Sequence, residues 1–203
     1  MVGTDRLAFY ASGSGSSVLL FNYTVQTSDQ AADLDYLSTA ALALNGATIR
    51  DIALNNANLS LPTVGGAGSL GGNKALVVDG IIPTVSNVSS NLANSGYTIG
   101  QVVDVRITFS ENVTVSGSPQ ITLETGATDR MATYASGSAS SILVFNYTAQ
   151  SGDASLDLDY KATTALILNA GTIRDIALNN ANLALASPGT AGSLGNNKAI
   201  IID

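Results

Sequence analysis

The chain has 203 residues, with 8 Lys and Arg against 15 Asp and Glu, a formal charge of −7, and no Cys, His or Trp. Without thiol or imidazole, cysteine catalysis, Ser-His-Asp triads, His/Cys zinc sites, haem ligation by those residues and disulfide stapling are all excluded. The acidic balance offers no basic footprint for a polyanion, so no nucleic-acid partner is expected.

Charged residues make up 11% of the chain and hydrophobic ones 45%. That combination rules out a disordered polymer and leaves Ser, Thr, Asn and Gly as the polar surface, which suits extracellular β-rich proteins better than exposed helices. No apolar run approaches 18 residues, so no membrane insertion is expected. The stretch Met1 to Arg6 has no charged region followed by an apolar one, so any export signal is expected outside this chain.

A direct repeat organises the sequence. Asp5 to Asp79 aligns without a gap on Asp129 to Asp203, at a constant offset of 124, and 49 of the 75 pairs are identical. A period of that size suggests tandem globular domains, not a solenoid. The copies are unequal: residues 80–128 precede the second, but only four residues precede the first. Residues 1–79 therefore read as the back portion of one domain, and 80–203 as a complete one. The junction is Asp79-Gly80-Ile81-Ile82-Pro83, where Gly and Pro make a short, stiffened linker.

In chain order, the first copy places Leu19, Phe21 and Tyr23 on one face of a strand. After the junction, Thr84–Ser89 reads as a strand. Val103, Val105, Ile107 and Phe109 then alternate with Asp104, Arg106, Thr108 and Ser110, one face buried and one wet. Gln120–Glu124 and Arg130–Ser136 follow. Residues 141–150 repeat the first copy's strand, with Leu143, Phe145 and Tyr147 inward. Ala165–Leu168, Asn182–Leu185 and Lys198–Ile202 complete the set, separated by turn clusters such as Ser136-Gly137-Ser138. No segment sustains a 3.6-residue period. Seven or eight short strands in about 120 residues predict an all-β, antiparallel β-sandwich. The first copy lacks the counterparts of three of these strands. It is expected either to be part of a longer domain or to be completed by strands from a neighbouring copy.

The run Val105-Arg106-Ile107-Thr108-Phe109-Ser110-Glu111-Asn112-Val113 resembles the I-T-F-S-E-x-V strand of bacterial Ig-like domains. Gly171-Thr172-Ile173-Arg174-Asp175-Ile176-Ala177-Leu178-Asn179 resembles their late G-x-I-x-D-x-A-G-N turn. The likeness extends through Leu166–Asn169, Leu183–Leu185, Gly192–Gly195 and Lys198–Asp203, covering residues 80–203 fully and 5–79 in part. Together these are similar to the tandem repeats of very large bacterial surface proteins, including the flagellar-system-associated, swimming-motility repeat family. The resemblance implies an Ig-like sandwich in an extracellular stalk or adhesin at the cell surface. Leu54 and Leu178 stand where that turn usually has Gly, which predicts a different backbone conformation there.

The carboxylates are the chemically interesting set. Asp153, Asp157 and Asp159, with Asp29, Asp33 and Asp35 as their copies, have the D-x-D spacing of an oxygen-rich calcium loop, but no Gly or terminal Glu follows as in an EF-hand. The plainer expectation is solvated acidic turns, or a tyrosine corner in which the Tyr160 hydroxyl bonds nearby backbone. Asp79 at the junction, Glu111 after the patterned strand and Asp51 in the first late turn form a second candidate set for Ca²⁺, since a cation relieves repulsion between clustered carboxylates. Against it, Asp51 and Asp175 are expected to cap their own turns. The candidate Ca²⁺ ligands are thus Asp79, Glu111, Asp51, Asp157 and Asp159, and no catalytic residue is assigned. Glu111 and Glu124, the two glutamates, show no pairing that suggests a glycosidase, so no enzyme is expected.

The function expected is a structural spacer or adhesion repeat of a large extracellular bacterial surface protein, its partners being neighbouring repeats. The alternatives are a glycan- or protein-binding Ig-like module using end loops, and a filament subunit assembled by strand donation.

Overall fold

The computed structural model describes residues 5–203; the leader expectation at Met1–Thr4 falls outside them. The chain divides into two compact units, one ending at Ile81 and the other spanning Ile82–Asp203.

The first unit holds little regular structure. Strands β1 (Phe9–Ser12) and β2 (Leu20–Asn22) form an antiparallel hairpin, with Phe9 opposite Asn22 and Tyr10 opposite Phe21. Strand β3 (Gln30–Ala31) pairs antiparallel with β4 (Val78–Asp79). Between them lies a single helical turn, α1 (Leu70–Asn73), started by Ser69, whose hydroxyl accepts from the Gly72 amide.

The second unit is a curled antiparallel sheet built around one long strand, β7 (Val102–Ser116). One edge of β7 carries β10 (Ser140–Thr148), with Leu143 opposite Ile107, Phe145 opposite Val105 and Tyr147 opposite Val103. It also pairs with β5 (Val85–Ser89) along Arg106–Phe109, and with β12 (Thr172–Arg174) along Thr114–Ser116. Beyond β10 the sheet continues through β9 (Arg130–Ser136) and β8 (Gln120–Leu123) to β11 (Leu166–Ile167). The period-two pattern explains the core: Val103, Val105, Ile107, Phe109, Leu143, Phe145 and Tyr147 are all buried, while Asp104, Arg106 and Thr108 between them are not. Leu158, Tyr160, Ile173, Leu194 and Ile200, from later in the chain, close the same cluster.

Several features were not legible in the pattern. Strand β7 runs seven residues past Phe109, through Val113 and Val115. A register shift in its pairing with β10, between Ser140 and Ile142, lets one continuous strand serve neighbours at both ends. Strand β6 (Ser95–Tyr97) pairs with β13 (Ile200–Ile202) in parallel, the one non-antiparallel pair among the described strands. Asn182–Leu185 forms no strand and contributes a single bridge from Asn182 to Thr84. The turn α2 (Leu194–Asn197) is capped by Ser193 as α1 is by Ser69.

The late turn corrects one expectation. Leu54 and Leu178 have φ of 69° and 71°, the left-handed conformation that glycine normally fills, so the turn keeps its glycine-type backbone despite the leucines. At the β9–β10 turn the glycine is required: Gly137 has φ of 106°, and a Cβ there would fall 2.1 Å from the Ile142 carbonyl oxygen.

Candidate cation site and its acidic surroundings

The acidic residues sort into three environments. In the first, carboxylates are consumed by internal donors. Asp153 lies beneath the end of β10, where its Oδ1 takes the Arg130 Nε at 2.7 Å and its Oδ2 accepts from the Tyr147 hydroxyl at 2.6 Å and the Gln150 amide at 2.9 Å. Burial opposes the ionised form, but the Tyr147 hydroxyl and the Arg130 guanidinium outweigh it and hold the carboxyl below its usual range. Burial and the Asp153 carboxylate together push the Tyr147 phenol well up. The first unit repeats the arrangement with Arg6, Tyr23 and Gln26 around Asp29. There the Tyr23 hydrogen bond leads, and the Asp29 carboxyl falls to about 2.

Asp159 belongs to the same class. Its Oδ1 accepts from the Tyr160 amide and its Oδ2 from the Gly189 amide, both at 2.8 Å, so it fastens the 187–190 loop. The Tyr160 hydroxyl donates to the Ala186 carbonyl at 2.6 Å, and burial, then the Asp159 charge, pushes the phenol up to about 12. That bond reaches 26 residues along the chain, so Tyr160 clamps a remote loop and makes no local corner. A local bond of the kind expected there occurs instead at Tyr97, which donates to the Ala93 carbonyl.

The second environment is the late turn. Asp51 accepts from the Asn55 amide and the Asn55 Nδ2, each at 2.8 Å, and Asp175 does the same with Asn179. The turn-capping expectation for both is met in geometry. For Asp51 the Asn55 side chain, then its amide, holds the carboxyl below the usual range.

The third group holds the remaining candidates. Asp157 is exposed; partial desolvation, then the charge of Asp159, raises its carboxyl. Asp79 closes β4 opposite Gln30, and its Oδ1 accepts from the Ile81 amide at 3.0 Å. Glu111 sits in the middle of β7. Within the second unit, a Glu111 carboxylate oxygen lies within 4.8 Å of one from Asp175, which is buried. The structure thus brings Glu111 beside Asp175, a residue the sequence marked only as a turn cap, while Asp157 and Asp159 stand in a different loop. The register of β12 on β7 makes this pair, with Arg174 opposite Thr114, and no local spacing reveals it.

Two shallow grooves occupy equivalent places in the units. One is lined by Ala154, Ser155, Leu156, Ile201, Ile202 and Asp203, the other by the residues 124 positions earlier. Among the described residues, no helix is long and apolar enough to cross a membrane. Comparison of the chain with protein-family models, with curated proteins and with solved structures found no match.

Proposed function

We propose that the chain is a structural spacer or adhesion segment of a large extracellular bacterial surface protein, built from tandem Ig-like sandwich domains. The observation that carries this reading is the direct repeat. Its 49 identical pairs in 75 include the Arg–Tyr–Asp clusters and the loop-fastening Asp35 and Asp159, which hold the fold together and point at no ligand. Duplication of scaffold residues extends a protein by one more module of the same kind. The Ser, Thr and Asn surface fits an exposed location. Antibody against residues 80–203 should label intact cells of the source organism; labelling only after permeabilisation refutes the extracellular reading. Saturable binding of the chain to a glycan array would favour the binding-module alternative instead.

Within this reading we propose that Ca²⁺ binds at Glu111 and Asp175, whose carboxylate oxygens lie within 4.8 Å of each other. Two carboxylates supply at most four of the six to eight hard oxygens Ca²⁺ takes, the rest coming from water and backbone carbonyls. Binding to the folded state alone raises the melting temperature by mass action. A rise with millimolar Ca²⁺, reversed by chelator and lost in Glu111→Gln, supports the site. Absence of any rise refutes it, and Asp79→Asn in the same titration tests the junction residue.

A further inference from the structure

Equivalent positions in the two units, all but one of those named here identical in sequence, differ sharply in exposure. Phe21 is 37% exposed and Phe145 0%; Leu70 is 39% exposed and Leu194 0%. Leu76 is 41% exposed where Ile200 is 0%. Leu19, Tyr23, Leu34, Tyr36, Ile49 and Leu61 are likewise only half-buried, whereas Leu143, Tyr147, Leu158, Tyr160, Ile173 and Leu185 are buried. Exposure alone is not the signal, because Ile52 and Ile176, and Leu54 and Leu178, are exposed in both units. The positions that differ all belong, in the second unit, to its buried apolar cluster, to which Ile176 and Leu178 do not belong.

The strand edges give the same result. In the second unit β10 pairs with β7 from Val102 to Thr108, and β9 pairs with β8 from Gln120 to Leu123. Among the described residues, the matching hairpin β1–β2 has no third strand on either side. Its other features are native in kind: the Tyr10–Phe21 rings meet edge to face at 5.9 Å, as Tyr134 and Phe145 do. Ser69 and Val78 are as buried as Ser193 and Ile202. The first unit is a preformed half of a core, with its lining sequence intact.

We propose that this face of the first unit is a docking surface for a polypeptide segment with the chemistry of residues 80–128. Such a segment presents alternating apolar residues equivalent to Val103, Val105, Ile107 and Phe109, followed by a second strand equivalent to Ile121–Leu123. The second unit supplies the template: Val105 would lie opposite Phe21, Ile107 opposite Leu19 and Val103 opposite Tyr23, in antiparallel register. Strand addition of this type gains main-chain hydrogen bonds from the open edge, and specificity from alternate side chains in apolar pockets. The proposal stands on the contrast between the two units and does not depend on where the protein resides.

The test adds a separate polypeptide of sequence 80–128 to the full chain and follows backbone amide exchange. Amides of residues 5–24 should exchange on the order of tenfold more slowly or better with the probe present, as expected where an open face joins a core. A probe carrying Val105→Asp should give no protection, and the chain carrying Phe21→Asp should bind none. Joining residues 80–128 directly before Asp5 should bring the Phe21 amide to the protection of the Phe145 amide. Unchanged exchange at residues 5–24 in both the mixed and the joined forms would overturn the proposal. So would protection that survives Val105→Asp in the probe. Protection already present in the chain alone, and lost on dilution, would overturn the assigned occupant in favour of a second copy of this chain.

Discussion

The same truncation at two equivalent phenylalanines should have unequal consequences. Phe145 is fully buried between Val105 of β7 and the edge-on ring of Tyr134. Removing it forfeits about 1.5–3 kcal/mol of transfer free energy. It also leaves a closed hole of roughly 100 Å³, worth about 2 kcal/mol at the usual cavity coefficient. Phe145→Ala should therefore cost about 3–5 kcal/mol. Phe21 keeps the aromatic contact with Tyr10 but is 37% exposed. Only the buried part of the transfer contribution is lost, about 1–2 kcal/mol, and with no strand above it no closed cavity forms. The assay for Phe145 is urea unfolding followed by tyrosine fluorescence and circular dichroism; for Phe21 it is amide exchange at Leu20–Asn22. A loss below about 1 kcal/mol at Phe145, or equal losses at the two sites, would refute the assignment of the inward face.

Acid should weaken both units through the Asp29 and Asp153 clusters. The folded-state carboxyl of Asp29 is lowered from 3.8 to about 2 and that of Asp153 is lowered too. Their stabilisation is present above about pH 4 and lost as pH falls through the folded value, visible as a falling melting temperature. Tyr147→Phe removes one of the bonds that hold Asp153 ionised and should flatten that acid dependence; an unchanged profile would exclude the cluster as its source. Asp153→Asn leaves Arg130 without its charge partner and should destabilise by roughly 1–3 kcal/mol in urea unfolding. Lys161→Ala breaks two surface contacts, to Glu124 and to Asp129, so a change below about 1 kcal/mol is expected in the same assay. Leu178→Gly relieves a left-handed backbone at an exposed side chain, and the glycine's extra unfolded-state freedom partly offsets the gain. Leu178→Gly should be neutral to stabilising by about 1 kcal/mol in melting; a loss above that range would show that the leucine side chain is needed.

Alternation along Val103–Phe109 and Leu143–Tyr147 was enough to identify both the strands and their buried faces, because side-chain direction has a strict period of two. The repeat also identified which residues of residues 5–79 are built for a core. Local sequence could not reveal partners brought together from far along the chain. The parallel pairing of β6 with β13 joins Ser95 to Ile200, and the Tyr160 clamp reaches Ala186. The approach of Glu111 to Asp175 exists only because β12 docks on the far end of β7. Of the five carboxylates that the sequence singles out for a cation, tertiary structure ties Asp159 to the Tyr160 and Gly189 amides and sets Asp157 in another loop, while Asp51 caps its turn through Asn55 as Asp175 does through Asn179. Acidity is a local property, readable from composition, but whether a carboxylate is already satisfied depends on which amides and guanidinium groups the fold delivers to it. The leucines at 54 and 178 make the same point in the backbone: residue identity argued for a changed turn, and the Asp–Asn hydrogen bonds across it held the left-handed conformation in place.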